Sequence, residues 1–235
     1  MMQAIILVGG LGTRLRRVIS DLPKPMAPVA GRPFLAWVLD ALLEAGFSRA
    51  VLAVGYRHEI IRAHFGERYR GLALHYSVEE NPLGTGGAIR LAGDQISVFP
   101  VFVLNGDTYL ELDYRAMLAA HQHAQTQMSV AVCQVPDVSR YGALELEDGV
   151  IHGFLEKGRD GPGYINAGVY LLSAEVIERI PPGEPFSFEQ QLLMPQVRTI
   201  RPLAFETDGM FIDIGVPEDY ARAQHLFAPG AGLKA

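Results

Sequence analysis

Cysteine is almost missing: the 235-residue chain has one, Cys133. A single thiol excludes an internal disulfide and a cysteine-built zinc site, and it fits a reducing compartment. Positive charge is also short. Lysine and arginine total 20 against 26 acidic residues, a formal net charge of −6. A basic surface for nucleic acid is therefore not expected, and any anionic ligand must be held by a few local cations. No apolar run approaches the roughly 18 residues that span a bilayer. The N-terminus lacks a basic segment followed by an apolar stretch and a cleavage site. The seven histidines show neither H-E-x-x-H nor H-x-x-E-H spacing, which argues against a histidine metal site. These absences lead us to expect a cytoplasmic protein with no membrane or nucleic-acid partner.

What is present is an ordinary globular balance, 49% hydrophobic and 20% charged, enough to fill a sizeable core. In the first half, short apolar runs alternate with helical patterns. Ala4–Val8, Ala50–Val54, Leu72–Ser77 and Val101–Leu104 read as strands. Pro33–Ala45 (closed by Gly46), His58–Phe65, Gly86–Leu91 and Tyr114–Ala124 read as helices. That alternation predicts a mostly parallel sheet with helices on both faces. The second half is richer in strands: Ser129–Val135, Ala143–Glu147, Val150–Leu155, Ile165–Leu172 and Phe211–Ile214. Asp148-Gly149 is a hairpin turn signal. Phe188–Leu193 is a short helix, and Pro217 opens a last one over Glu218–Leu226. With no long linker and no 20–50-residue repeat, we expect one α/β domain over 1–235. Its halves would be a nucleotide-binding part at about 1–125 and a mixed-sheet part at about 126–227.

The first strand runs straight into Gly9-Gly10-Leu11-Gly12-Thr13-Arg14-Leu15. Glycines allow close backbone approach, and a strand, a glycine-rich turn and a cation together suit an anion held by main-chain N–H groups. Two stock phosphate motifs fail here. A P-loop needs a Lys-Ser/Thr pair after its last glycine, and none is present. The dinucleotide fingerprint needs a third glycine where Leu15 stands, and an acid where Val54 leads into Gly55-Tyr56-Arg57. Further on, Pro23 and Pro25 bracket Lys24 and restrict its backbone. Arg14 and Lys24 would then offer a forked donor and a point charge to one polyphosphate.

With Lys24-Pro25 following it, the glycine segment resembles the signature of the sugar-1-phosphate nucleotidyltransferases. Five later segments match that family in order. Leu83-Gly84-Thr85-Gly86-Gly87-Ala88 is similar to its base-contacting loop. Asn105-Gly106-Asp107 matches its metal-binding strand end, and Glu156-Lys157 its sugar-phosphate motif. Asn166-Ala167-Gly168 matches a sugar-contacting turn, and Phe211-Ile212-Asp213-Ile214-Gly215 carries the second metal-binding aspartate.

The resemblance implies a Rossmann-like three-layer α/β/α fold. It also implies condensation of a nucleoside triphosphate with a sugar 1-phosphate, releasing pyrophosphate. Nucleotide binding falls to Leu7, Gly9, Gly10, Gly12, Thr13, Arg14, Lys24, Gly84 and Thr85. The sugar phosphate falls to Gly142, Glu156, Lys157 and Asn166, and magnesium to Asp107 and Asp213. Arg14, Lys24 and Asp107 are the catalytic candidates. Gly158 stands where the family often has proline after its lysine.

These residue types suit the chemistry. A sugar 1-phosphate is already an anion near neutral pH, with a second pKa of about 6, so no general base is needed. The work is to bring polyanions together and to stabilise charge in an in-line displacement. Magnesium binds one or two carboxylates and completes its shell with phosphate and water.

The short chain has no hexapeptide repeats, and with its L-G-T-G-G-A and F-I-D-I-G-V-P-E-D-Y segments it resembles the D-glycero-α-D-manno-heptose 1-phosphate guanylyltransferases. GTP is the nucleotide that this implies. Glu79 and Glu80 are candidate acceptors for guanine N1–H and N2–H₂. The neighbouring readings are an N-acetylmuramate 1-phosphate uridylyltransferase, another hexose 1-phosphate nucleotidyltransferase, or a silent nucleotide-sugar binding subunit. Oligomeric state is not readable.

Overall fold

The computed structural model describes residues 2–10, 22–155, 160–228 and 230. The first half runs β1 (Gln3–Leu7), a small hairpin of β2 (Pro28–Val29) and β3 (Arg32–Pro33), α1 (Phe34–Ala45), β4 (Arg49–Val54), α2 (His58–Phe65), β5 (Arg68–Tyr69), β6 (Leu72–Val78), α3 (Gly84–Gly93), β7 (Val101–Asn105), β8 (Thr108–Leu110) and α4 (Tyr114–His123). Then follow β9 (Met128–Val135), β10 (Leu144–Glu147), β11 (Val150–Phe154), β12 (Gly163–Leu172) and α5 (Ala174–Glu178). A π-wound turn (Phe188–Leu193) continues into α6 (Met194–Ile200), and β13 (Leu203–Glu206), β14 (Phe211–Asp213) and α7 (Pro217–Leu226) complete the order.

Among the described residues one ten-stranded sheet has the order β10-β11-β13-β9-β12-β7-β1-β4-β6-β5. The strands β7, β1, β4 and β6 are mutually parallel. Strand β12 runs antiparallel to both β7 and β9, and so joins the two halves in one hydrogen-bonded sheet. Beyond it, β13 is parallel to β9.

Central strands are apolar at consecutive positions because both of their faces are covered. Along β1, Ala4 and Ile6 enter one core while Ile5 enters the other. Phe34, Leu39, Ile61 and Met117 from α1, α2 and α4 line the first face. Ile89, Val176, Phe188 and Val197 from α3, α5, the π turn and α6 line the second. The result is a Rossmann-like three-layer α/β/α fold whose cores each draw on both halves of the chain.

Several local signals act as their chemistry requires. Gly46 ends α1 at φ 89°, a left-handed conformation that favours glycine. Asp148 and Gly149 both have positive φ (51° and 72°) in the β10–β11 hairpin, as a two-residue primed turn demands.

Besides shifts of a residue or two at other element ends, these sequence expectations need correction. Pro33 ends β3 instead of opening α1, since Phe34 is the first helical residue. Helix α3 begins at Gly84, two residues before the expected Gly86, and Ile214 falls just outside β14. Asn166-Ala167-Gly168 is not a turn but a register shift within the continuous strand β12. The short elements β2, β3, β5, β8, α5, α6 and β13 carry too few residues to show a period of their own.

Candidate active site

The parallel strands bring their C-terminal ends to one edge of the sheet, the usual ligand side of such a fold. At that edge Leu7 pairs in register with Asn105, and the Gly106 N–H donates to the Leu7 carbonyl at 2.9 Å. A Cβ on Gly106 would overlap Val8 Cγ1 and stand 2.8 Å from the Leu7 oxygen. Glycine is therefore required for the chain to turn here and present Asp107. The antiparallel β8–β14 ladder sets Asp213 opposite Thr108, and the Ile214 N–H donates to the Asp107 carbonyl at 3.0 Å. Two segments about a hundred residues apart thus deliver two carboxylates to one place.

Lys24 completes the cluster. It starts a 3-10 turn (Lys24–Met26) that Pro23 precedes, and Pro25 and Met26 anchor that turn in the core. Its ammonium lies 2.5 Å from Asp107 Oδ2 and 3.5 Å from Asp213 Oδ1. The side chain of Lys24 is 13% exposed and each carboxylate 34%, so the group is half sheltered but open to a ligand. Asp213 also accepts the Gly215 N–H at 2.7 Å. Burial, and then the nearby negative charge of Asp107, push the Asp213 carboxyl above its ordinary range; Lys24 and the Gly215 N–H oppose that shift. Two like charges held beside one cation make a site that favours added positive charge.

The glycine turn starts beside this cluster. A Cβ on Gly9 would come within 3.1 Å of Glu79 Oε1 and 3.4 Å of the Gly55 nitrogen, whereas at Gly10 it would meet nothing within 4 Å. Glu79 follows β6, and its Oε2 accepts the Leu83 N–H at 2.8 Å. Burial raises the Glu79 carboxyl above its usual range, and that N–H partly offsets the rise. The loop then enters α3 at Gly84, where φ is +70° and a Cβ would be 2.8 Å from the Phe186 carbonyl oxygen. That same oxygen accepts the N–H groups of Gly86 and Gly87 at 2.7 and 3.2 Å. Close packing against the 184–188 segment thus accounts for these glycines. The Thr85 hydroxyl donates to Glu189 Oε2 at 2.9 Å and accepts the Phe188 N–H at 2.9 Å.

On the other side of β7, the irregularity in β12 faces Asn105: a Cβ on Gly168 (φ +73°) would lie 2.6 Å from Asn105 Nδ2. Asn166 Oδ1 accepts the Gly168 N–H at 3.0 Å, and its Nδ2 donates to the Tyr170 hydroxyl at 2.7 Å. Tyr170 in turn donates to Glu189 Oε1 at 3.0 Å. Gly142 has φ +84°. The neighbouring Tyr141 ring packs edge-on against Phe211 of β14, with centroids 5.6 Å apart.

The structure therefore gathers Leu7, Gly9, Gly10, Lys24, Asp107, Asp213 and Asn166 along one sheet edge, with Gly84 and Thr85 in the first turn of α3. Gly12, Thr13, Arg14, Glu156 and Lys157 lie outside the described residues. Sequence reasoning missed Tyr170 and Glu189. Tyr170 reads as one more apolar strand position, although a buried tyrosine hydroxyl always raises the question of its partner. Glu189 sits in a helical stretch with no motif around it.

Comparison with known proteins adds the family context. Residues 3–228 match the nucleotidyl transferase family. A D-glycero-alpha-D-manno-heptose 1-phosphate guanylyltransferase of Aneurinibacillus thermoaerophilus is 42% identical, over 95% of this chain and 97% of its own. An enzyme of the same description from Campylobacter jejuni is 40% identical, over 93% and 97%. Among solved structures, HddC from Yersinia pseudotuberculosis complexed with GMP-PN superposes with a TM-score of 0.86 at 40% identity, covering 97% of this chain and all of that one.

Proposed function

The chain belongs to the nucleotidyl transferase family, and from that premise we propose that it joins GTP to D-glycero-α-D-manno-heptose 1-phosphate, giving GDP-heptose and pyrophosphate. The observation that carries the reaction class is the convergence of Lys24, Asp107 and Asp213 at the strand ends. The choice of substrates is supported by what the two relatives are named for and by the guanine nucleotide analogue held by the similar structure.

In this reading a sugar-phosphate oxygen attacks the α-phosphorus of GTP, an α-phosphorus–oxygen bond forms, and the bond to the β-phosphate bridging oxygen breaks. The nucleophile is already ionised, so no protein group takes a proton. Lys24 sets a positive charge beside the α-phosphate, where negative charge accumulates in the transition state. Gly9 and Gly10, with Gly12, Thr13 and Arg14, offer N–H groups and a guanidinium to the triphosphate. In this reading Glu79, whose Oε1 lies beside Gly9, accepts from the guanine edge. Gly142, Asn166, Glu156 and Lys157 take the sugar phosphate.

Asp107 and Asp213 fit magnesium: both are hard oxygen donors facing one point of positive charge, and one or two carboxylates are that ion's usual protein share. Phosphate oxygens and water would complete the shell of an ion held by these two carboxylates. Bound there, magnesium would neutralise phosphate charge during the displacement. The halves at about 1–125 and about 126–227 would serve nucleotide and sugar respectively. No helix among the described residues is long and apolar enough to cross a membrane, and we assign the reaction to the cytoplasm, the nucleotide-rich reducing compartment that a lone cysteine fits.

The test is pyrophosphate release with magnesium, five nucleoside triphosphates (ATP, CTP, GTP, UTP and dTTP) and the 1-phosphates of D-glycero-α-D-manno-heptose, mannose, glucose and N-acetylmuramate. GTP with the heptose phosphate should give the highest kcat/KM. UTP with N-acetylmuramate 1-phosphate winning would overturn the substrate assignment, and no release from any pair would overturn the reaction.

A further inference from the structure

Thr85 belongs to α3 and Asn166 to β12, yet one carboxylate ties them together. Glu189 Oε2 accepts the Thr85 hydroxyl at 2.9 Å and Glu189 Oε1 accepts the Tyr170 hydroxyl at 3.0 Å. In both bonds the hydroxyl is the donor, so both hydroxyl hydrogens point at Glu189. Tyr170 then has only lone pairs for Asn166, and this sets the amide: Nδ2 faces Tyr170 at 2.7 Å, and Oδ1 faces the Gly168 N–H at 3.0 Å. On the other arm, Thr85 has its lone pairs free to accept the Phe188 N–H at 2.9 Å. Tyr170 is 1% exposed, and its ring stands edge-on to the buried Phe188 with centroids 5.1 Å apart, so this arm is rigid.

We propose that Glu189 is a positioning residue that orients both substrate sites at once: it holds the first turn of α3 through Thr85 and sets the amide of Asn166 through Tyr170. This rests on the reading above that places Gly84 and Thr85 at the nucleotide and Asn166 at the sugar phosphate. The consequence for Asn166 is specific. Two of its four hydrogen-bonding positions are spent on Tyr170 and Gly168, leaving one N–H and one lone pair, in fixed directions, for sugar hydroxyls. A sugar hydroxyl must then lie where it can accept from that N–H or donate to that lone pair, since turning the amide would set Nδ2 against the Gly168 N–H.

The test measures steady-state kinetics of pyrophosphate release on the full chain, with GTP and D-glycero-α-D-manno-heptose 1-phosphate varied separately. Tyr170→Phe keeps the ring and removes the hydroxyl. It should raise the KM for the sugar phosphate about fivefold, the scale of one net hydrogen bond, while the KM for GTP stays within about twofold. Glu189→Gln should raise both KM values, because its amide cannot accept from both hydroxyls. Adding Tyr170→Phe to Asn166→Ala should cost nothing further, as expected when one residue acts through the other. Wild-type kinetics in Tyr170→Phe, or effects of Tyr170→Phe and Asn166→Ala that multiply, would overturn the proposal. If Tyr170→Phe fails to fold, unchanged KM values for both substrates in Glu189→Gln would overturn it instead. Wild-type protein that releases no pyrophosphate from any substrate pair overturns the reaction reading, and the proposal with it, before any variant is compared.

Discussion

Gly106→Ala adds a single methyl group at the turn that presents Asp107. On the present backbone its carbon would overlap Val8 Cγ1 and lie 2.8 Å from the Leu7 carbonyl oxygen. The valine can rotate away. The carbonyl cannot, because β1 is paired on both sides, with β4 and β7. The turn must therefore move outward and weaken the 2.9 Å bond from the Gly106 N–H to Leu7. Overpacking of this kind costs about 1–3 kcal/mol, and for a chain of this size each kcal/mol lowers Tm by about 2–4 °C. A drop of about 4–8 °C is the central expectation. Activity should suffer more, since a displacement of about 1 Å at a reacting group can cost about a hundredfold. At 25 °C the variant would remain folded, so a kcat/KM about a hundred times lower would report displacement of Asp107 and not unfolding. Gly55→Ala is the comparison, because its added carbon meets only the Gly9 carbonyl oxygen at 3.4 Å and the Gly9 Cα at 3.7 Å, ordinary contacts that should leave Tm almost unchanged. Melting followed by circular dichroism, with pyrophosphate release on the same samples, decides the matter. Wild-type Tm and kcat/KM in Gly106→Ala would refute the argument that the close approach to Leu7 sets the position of Asp107.

Asp107→Asn and Asp213→Asn should each keep the fold and lose magnesium-dependent turnover by several orders of magnitude, because a metal-bridged phosphate cluster can supply several kcal/mol of transition-state stabilisation; near-normal rates at ordinary magnesium would sink the two-aspartate assignment. Lys24→Ala should act mainly on kcat, whereas Lys157→Ala should mainly raise the KM for the sugar phosphate. Interchanged profiles would mean that the two phosphate sites are wrongly divided. His121 is buried beside Ser129, its Nδ1 2.8 Å from the hydroxyl, and burial lowers its pKa below the ordinary 6.5. The neutral ring is the one the fold accommodates, so its contribution to stability is present above the unfolded-state pKa and lost as pH falls through the lower folded one. His121→Gln should flatten the dependence of Tm on pH between about 7 and 5; an unchanged slope would assign that acid sensitivity to other groups.

Much of the first half was legible because its strands are buried on both faces, and two-sided burial writes itself into the sequence as unbroken apolar runs such as Ala50–Val54. Helix α2 falls on the expected His58–Phe65, where Ile61 and Phe65 mark a clear inward face. The strand β13 was not legible. Leu203–Glu206 is four residues long, follows Pro202, and is extended because β9 offers it an edge; that cause lies more than seventy residues away. The site shows the same division. Asp107, Asp213 and Lys24 sit in recognisable local segments, and only their meeting point had to come from the fold. Glu189 has no such segment around it. Its meaning depends on Thr85, 104 residues earlier in the chain, and on a tyrosine that passes for a core residue.

Strand β12 has one more consequence. Its irregular stretch at Gly168 touches Asn105 on β7, and Asn105 stands in register with Leu7 on β1. Neighbouring strands are about 4.8 Å apart, so the end of β1 and the bend in β12 are separated by two such steps, about 10 Å. The sheet works as a caliper with its jaws welded. Substrates of different size cannot be accommodated by sliding one half of the molecule against the other without tearing the β7–β12 ladder. A change of sugar preference would have to be made in segments outside these strands, such as the one bearing Tyr141 and Gly142, whose tyrosine packs against Phe211 of β14. Exchanging those segments between relatives should move selectivity while the strands beneath, and the reaction they space, stay as they are.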